Sequence, residues 1–150
     1  MITELNTSNK ELTITRLFHA PKELMWDLFT KPELIIHWWG PVGFTNTIFK
    51  MDVKPGGVWD LIMHGPDGTD YKNTSIYKEV VKPEKLVYDH ITGPRFQFTV
   101  WLTEKENQTE IKIQMLFDTA EQKDKVILEF KADEGLKQNM EKLEVYLKSL

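Results

Sequence analysis

Two consecutive segments between residues 96 and 117 alternate between apolar residues and mostly polar ones, around a polar connection at Glu106-Asn107-Gln108. The apolar positions are Phe96, Phe98, Val100, Leu102, Ile111, Ile113, Met115 and Phe117. A period of two is typical of strands that bury one face. The pattern therefore predicts an antiparallel hairpin whose single apolar face must be covered by another part of the chain.

The C-terminal segment supplies a helix with one apolar stripe. Its apolar residues recur at steps of four, three, four and three: Leu136, Met140, Leu143, Leu147 and Leu150. Asp133 is predicted to cap this helix, which extends to Ser149. A shorter helix over 120–131 follows a capping box that begins at Thr119, and Gly135 favours a break at 132–135. A sheet with one apolar face and a helix with one apolar stripe must bury each other.

The remaining residues predict more strands of the same sheet, at 12–18, 44–53, 58–64, 71–81 and 86–91, separated by turn sequences rich in glycine. Residues 1–10 are polar and are expected to form a loose arm. A chain of 150 residues fits one domain, 1–150. We expect an α+β fold in which a curved antiparallel sheet of about seven strands buries its apolar face against a long C-terminal helix, with two short helices between strands one and two.

The two short helices lie in the segment from His19 to Pro41, which holds three of the five tryptophans. A proline suits the first turn of the first helix, and a Thr-Lys-Pro sequence ends it and starts a second helix over 33–38. Leu34 and Trp38 are four residues apart and share a helical face, whereas Trp39 is rotated by about 100°. We expect Trp38 to be buried and Trp39 to lie at a cavity entrance or on a partner-binding surface. In the alternative interpretation, both seal an edge of the core.

The composition excludes several classes of function. The chain has no cysteine, which excludes disulfides, thiol catalysis and thiolate metal sites. A net charge of −4 with scattered Lys and Arg argues against nucleic-acid binding. No segment reaches the roughly 18 apolar residues of a membrane span, and no signal peptide is recognisable. We therefore expect a cytoplasmic protein, in which the N-x-[ST] matches at Asn6, Asn73 and Asn107 carry no function.

The titratable residues form no convincing catalytic pair or metal site. The four histidines lack the i, i+4 spacing of a zinc site, so neither a metal nor a cofactor is expected. His90 continues the register of Tyr88 and is a candidate for facing a cavity. Glu79 shares the parity of Tyr77, so it is either a buried carboxylate with a raised pKa or a partner in a salt bridge, for example with Arg16.

Motifs distributed over nearly the whole chain resemble those of one superfamily. They are Thr15-Arg16, Ala20-Pro21-Lys22-Glu23, Thr30-Lys31-Pro32-Glu33-Leu34, Trp38-Trp39-Gly40-Pro41, Met51 to Trp59, Gly65-Pro66-Asp67-Gly68, Ile76 to Val87, Glu134-Gly135 and Leu143 to Leu147. On these residues the chain resembles the SRPBCC (START-like, birch-pollen-allergen-like) superfamily, and within it the branch related to the activator of the ATPase of the ninety-kilodalton heat-shock chaperone. Ser75 departs from the pattern, since many relatives have glycine there. The resemblance implies a helix-grip fold, which often encloses a cavity suited to hydrophobic molecules.

Aromatic and methionine residues, together with one histidine, are the candidates for the lining of such a cavity. They are Trp38, Trp39, Trp59, Met63, Tyr77, Tyr88, His90, Phe98, Met115 and Met140. We interpret the chain as a binding protein for a small apolar or aromatic ligand held between sheet and C-terminal helix. The alternatives are a filled core, a protein-interaction module of the chaperone-activator type, and a cyclase- or hydrolase-like enzyme that uses Tyr77, Glu79 or His90.

Overall fold

The computed structural model describes residues 3–150 and places eight strands and four helices in that range. They are β1 (Thr3–Ser8), β2 (Glu11–Phe18), α1 (Lys22–Thr30), α2 (Pro32–Ile35), β3 (Thr45–Met51), β4 (Val58–His64), β5 (Asp70–Val81), β6 (Lys85–His90), β7 (Phe96–Lys105), β8 (Gln108–Leu116), α3 (Ala120–Phe130) and α4 (Ala132–Lys148). The strands form one antiparallel sheet in the order β1-β2-β8-β7-β6-β5-β4-β3. The first hairpin thus adds to the last strand of a meander.

All seven predicted strands are present, and their ends differ from the predicted ends by at most two residues. In the hairpin of β7 and β8, Val100 lies opposite Ile113, and both side chains are fully buried. The positions that alternate with these apolar residues along each strand face the other side of the sheet, where Lys112 is exposed. The predicted division into one apolar and one polar face is therefore confirmed.

The expectation of a loose N-terminal arm is wrong for residues 3–8. They form β1, which pairs with β2 so that Leu5 lies opposite Ile14. Because β1 is an edge strand, it has one apolar side chain, the half-buried Leu5, and its other five residues are polar. Such a strand shows no apolar alternation, and it raises the strand count from about seven to eight. Residues 1 and 2 of the predicted arm lie outside the described residues.

The C-terminal helix packs its predicted stripe against the sheet. Leu136, Met140 and Leu143 are buried, and α4 contacts β1 and β2. Leu147 is half-buried and Leu150 is exposed, so the buried stripe ends in the last turn. None of the helices within 3–150 is long and apolar enough to cross a membrane.

The ends of the two C-terminal helices agree with the sequence at one point and differ at another. The Oγ1 atom of Thr119 accepts a hydrogen bond from the backbone N–H of Gln122 at 3.1 Å, which confirms the predicted cap of α3. The break between α3 and α4 falls at Lys131, which has a left-handed backbone conformation with φ 51° and ψ 47°. Asp133 therefore lies inside the first turn of α4 and is not its cap.

The turn after α2 settles the orientation of the tryptophan pair. Helix α2 is shorter than predicted because the chain tightens into i→i+3 hydrogen bonds, such as that from Trp38 N–H to the Ile35 carbonyl at 3.2 Å. Trp38 is 0% exposed, and its indole N–H donates to the Leu28 carbonyl at 3.1 Å. Trp39 is half-buried. The expected ranking of the two exposures is confirmed.

Candidate functional site

A cavity of about 180 Å³ lies between the inner face of the sheet and the first half of α4. Its wall consists of Trp39, Gly40 and Pro41 from the turn after α2, Trp59, Leu61 and Met63 from β4, Asn73 and Ser75 from β5, Tyr88 and His90 from β6, Phe96 and Phe98 from β7, Met115 from β8, and Ala132, Gly135, Leu136 and Asn139 from α4. Wall residues on one strand are two positions apart, because alternate side chains point to the same face. The first turns of α4 close the helical side.

Seven of the ten residues expected to line a cavity lie in this wall: Trp39, Trp59, Met63, Tyr88, His90, Phe98 and Met115. The other three, Trp38, Tyr77 and Met140, are 0% exposed and lie outside it. The Trp38 ring packs edge-on against Phe29 of α1, with the ring centres 4.9 Å apart. Tyr77 lies beyond Tyr88, and Met140 lies one helical turn beyond the wall residue Leu136. These three belong to a filled part of the core.

Ten wall residues were absent from the set chosen by residue type: Gly40, Pro41, Leu61, Asn73, Ser75, Phe96, Ala132, Gly135, Leu136 and Asn139. Strand parity is the signal that identifies several of them. Leu61 alternates in phase with Trp59, and Phe96 alternates in phase with Phe98. Asn139 carries no such signal, because it is a polar residue beside an apolar stripe.

Four aromatic rings form the most continuous part of the wall. Trp39 lies 5.1 Å from Trp59 and 5.9 Å from Phe98, between ring centres. Tyr88 stacks on Phe98 at 4.9 Å and meets Trp59 edge-on at 5.5 Å. Burial raises the pKa of the Tyr88 phenol well above its ordinary value, so it stays uncharged. Mutual edge and stacking contacts hold these rings in place.

The turn after α2, which supplies Trp39, Gly40 and Pro41 to the wall, is fixed to α4 by a lysine. The Nζ group of Lys142 donates to the backbone carbonyls of Trp39, Pro41 and Phe44 at 3.3, 3.1 and 3.3 Å. Burial lowers the pKa of Lys142 below its ordinary value. Gly40 has φ +92°, and a Cβ there would approach the Met63 Cε atom to 2.9 Å. The conformation of this turn therefore requires glycine at position 40, and the hydrogen bonds of Lys142 hold the turn against α4.

His90 is the titratable histidine in the wall. It is buried, stacks on Phe96 at 4.5 Å, and donates from Nδ1 to the Pro94 carbonyl at 2.8 Å. Its Nε2 atom lies 2.5 Å from the side-chain amide of Asn73. Rotation of this amide by 180° allows it either to donate to an unprotonated Nε2 atom or to accept from a protonated one. Burial lowers the pKa of His90, although its hydrogen bond to Pro94 opposes the effect. The neutral ring is the favoured form.

Acidification is expected to destabilise the protein through His90. The unfolded chain binds this proton near the ordinary pKa of 6.5, whereas the folded state binds it only at lower pH. The stability from the neutral ring is therefore fully present above about pH 6.5 and is lost as the pH falls toward the folded-state pKa. Urea unfolding at pH 7.5 and pH 5 measures the loss. His90→Gln is expected to reduce it, and an unchanged pH dependence in that variant would contradict the assignment.

The carboxylate considered for catalysis lies outside the cavity. A bulge in β5 shifts the register between Tyr77 and Glu79, so the simple parity argument fails there. Glu79 is exposed, and its Oε2 atom lies 3.2 Å from the Nζ atom of Lys85, so its ion-pair partner is not Arg16. Tyr77, Glu79 and His90 are therefore not brought to one site. Across residues 3–150, no three His, Asp or Glu side chains are grouped to hold a metal ion.

The fold and the cavity define the class of protein. An antiparallel sheet with a long C-terminal helix packed on its inner face, and a cavity between the two, is the helix-grip arrangement. The family model described as activator of Hsp90 ATPase homolog 1-like protein matches residues 19–148, and the chain belongs to this family. No match is found among curated proteins.

Solved structures share the whole fold at low sequence identity. A protein from Arthrobacter aurescens is 23% identical with a TM-score of 0.91, over 98% of this chain and 92% of that one. A protein from Rhodobacter sphaeroides is 23% identical with a TM-score of 0.88, over 99% and 100%. The AHSA1 protein from Silicibacter pomeroyi is 18% identical with a TM-score of 0.73, over 92% and 97%. These similarities establish the fold alone.

Proposed function

We propose that this protein binds one small apolar or aromatic molecule in the cavity between the sheet and α4. The supporting observation is the cavity itself, about 180 Å³ bounded by mutually packed aromatic rings. The adjoining core is filled, since Trp38, Tyr77 and Met140 are 0% exposed. Close packing is the norm in protein interiors, so a space of this size beside a filled core favours a ligand site.

The volume sets the size of the ligand. An apolar cavity of roughly 150 Å³ stays dry and accepts benzene, whereas pockets for drug-sized molecules have about 300–1,000 Å³. At about 180 Å³, this cavity matches a single ring with a small substituent. Trp39 and Pro41 are both half-buried and lie two residues apart in the turn after α2, and we assign the entrance to this turn.

The family name suggests a second function, that of a protein-interaction module that activates a chaperone ATPase. Either the edge formed by Trp38 and Trp39 or a basic patch on the convex face of the sheet would serve as the interface of such a module. Trp38 is fully buried, and the Trp39 ring packs on Trp59 and Phe98. Ligand binding is therefore the function that the geometry supports best.

Toluene is a suitable probe because it is one ring with a methyl group. Titration of the protein with toluene, followed by tryptophan fluorescence and amide NMR shifts, is expected to give saturable binding with shifts centred on the cavity wall. Ala132→Leu adds bulk at a small wall residue and is expected to weaken binding by at least about tenfold, or about 1.4 kcal/mol.

Ala120→Leu is the matched control. Both alanines are half-buried and are the first residue of a helix, α3 or α4, but Ala132 alone lies in the wall. The control is expected to bind toluene as the parent protein does. Absence of saturable binding, or equal loss in both variants, would overturn the proposal.

A further inference from the structure

A single ammonium group on α4 serves three backbone carbonyls of the turn after α2. The Nζ atom of Lys142 donates to the carbonyls of Trp39, Pro41 and Phe44 at 3.3, 3.1 and 3.3 Å. An ammonium has three N–H donors, so these bonds use all of them. In the described part of the chain, no carboxylate lies within ion-pair distance of Lys142. The carbonyl dipoles of the turn, and not an acidic side chain, therefore stabilise its charge.

The same turn spans the space between the sheet and α4 along the cavity wall. On the sheet side, a Cβ at Gly40 would approach the Met63 Cε atom to 2.9 Å. On the helix side, a Cβ at Gly135 would lie 3.6 Å from the Cγ atom of Pro41. All four of these residues belong to the wall. Movement of the turn away from α4 would therefore open the wall between β4 and α4.

Polar bonds fasten residues 39–44 of this turn to α4. Besides the three bonds from Lys142, the backbone N–H of Val42 donates to the side-chain oxygen of Gln138 at 3.1 Å. The stack of His37 on Tyr146, with ring centres 5.2 Å apart, fixes the start of the turn but precedes these residues. Hydrogen bonds from a charged donor are about twice as strong as those from a neutral one. Lys142 is therefore the main fastening of residues 39–44 to the helix.

We propose that Lys142 controls the exchange of ligand with the cavity by holding the turn after α2 closed against α4. This inference rests on the proposed function, since it names the residue that regulates the same site. Ligand enters and leaves through the same open conformation of the turn. A bond that favours the closed turn therefore slows both steps by the same factor and leaves the affinity unchanged.

The local backbone and the aromatic wall fit such a motion. Gly40 and Gly43 have φ +92° and +87°, and they lie on either side of the two residues between them, so the turn has flexible positions at both ends. The ring of Trp39 packs on Trp59 and Phe98 when the turn is closed. These ring contacts do not involve Lys142, so the wall that faces the ligand is the same with or without the ammonium.

Lys142→Met tests this role, because it removes the ammonium and keeps most of the apolar stem. NMR line-shape analysis of a toluene titration is expected to show association and dissociation rates that both rise at least about tenfold, with Kd changed by less than about twofold. Lys137→Met is the matched control and should keep the parent rates. Lys137 is also a half-buried lysine of α4, but it makes no bond to the turn within residues 3–150.

The outcomes separate this inference from the function on which it rests. Absence of toluene binding by the parent protein would contradict the proposed function and this inference with it. Toluene binding with unchanged rates in Lys142→Met would overturn this inference alone. A rise of the dissociation rate without a rise of the association rate would also overturn it, because Lys142 would then act on affinity and not on access.

Chemical rescue distinguishes control of access from a general loss of stability. Lys142→Ala lacks three carbons and the ammonium, which n-propylammonium supplies. This cation is expected to lower both exchange rates of Lys142→Ala toward the parent values, whereas n-propanol, which has no charge and one donor, should not. Rates that respond equally to the two additives would overturn the assignment to the ammonium.

A second variant keeps the proposal testable if the variants of Lys142 do not fold. Gln138→Leu removes only the neutral bond to the Val42 N–H. It is expected to raise both exchange rates about threefold, less than the loss of a charged donor does. Unchanged rates in Gln138→Leu would contradict the proposal that bonds to α4 hold the turn closed.

Discussion

Trp38→Ala is expected to lower the free energy of unfolding by about 3–5 kcal/mol, the usual range for removal of a buried aromatic ring. The ring is 0% exposed and packs edge-on against both Phe29 and Trp39. Its N–H also donates to the Leu28 carbonyl, so the side chain joins the turn after α2 to α1. Urea denaturation with an unchanged m-value would measure this loss as a change in stability alone.

Trp39→Ala is the comparison that tests the orientation of the pair. Trp39 is half-buried and lines an existing space, so its removal is expected to cost only about 1–2 kcal/mol. The same variant should weaken toluene binding by about tenfold, because aromatic anchors carry much of the energy of such sites. A larger loss of stability in Trp39→Ala than in Trp38→Ala would contradict the described geometry.

The periodic parts of the fold could be predicted from the sequence. Burial of one face imposes a period of two on strands and of 3.6 on helices, and β7, β8 and α4 follow these periods closely. The ranking of Trp38 and Trp39 also followed from helical geometry, since positions four apart share a face. Each of these predictions required only the spacing of apolar residues along a single helix or strand.

Elements whose place depends on distant partners could not be predicted in this way. The strand β1 is polar because it is an edge, and its pairing with β2 is decided by backbone hydrogen bonds that any residue type supplies. The bulge between Tyr77 and Glu79 adds one residue to β5 and turns Glu79 outward. Neither the pairing of β1 with β2 nor the bulge in β5 can be recognised from the pattern of apolar residues in the sequence.

The cavity was only partly predictable for a related reason. Residue type and parity place Trp59, Tyr88 and Phe98 on the inner face, but they do not say whether the space in front of them is filled. That depends on how far α4 stands from the sheet, and thus on contacts between residues distant in sequence, such as those of Lys142 with the turn after α2. The sequence allowed either a filled core or a cavity, and the structure contains both, side by side.

Met140→Ala is expected to cost about 2–5 kcal/mol, because Met140 is 0% exposed and lies in the filled part of the core. Truncation there creates a new void. Leu136→Ala, one turn earlier, enlarges the existing cavity and is expected to cost less, about 1.5 kcal/mol. Leu143→Ala, also at a fully buried position, should match Met140→Ala. Urea unfolding of the three variants distinguishes these values. A cost for Met140→Ala no greater than that of Leu136→Ala would mean that the cavity extends along α4 beyond Asn139, and the ligand would then be larger than one ring.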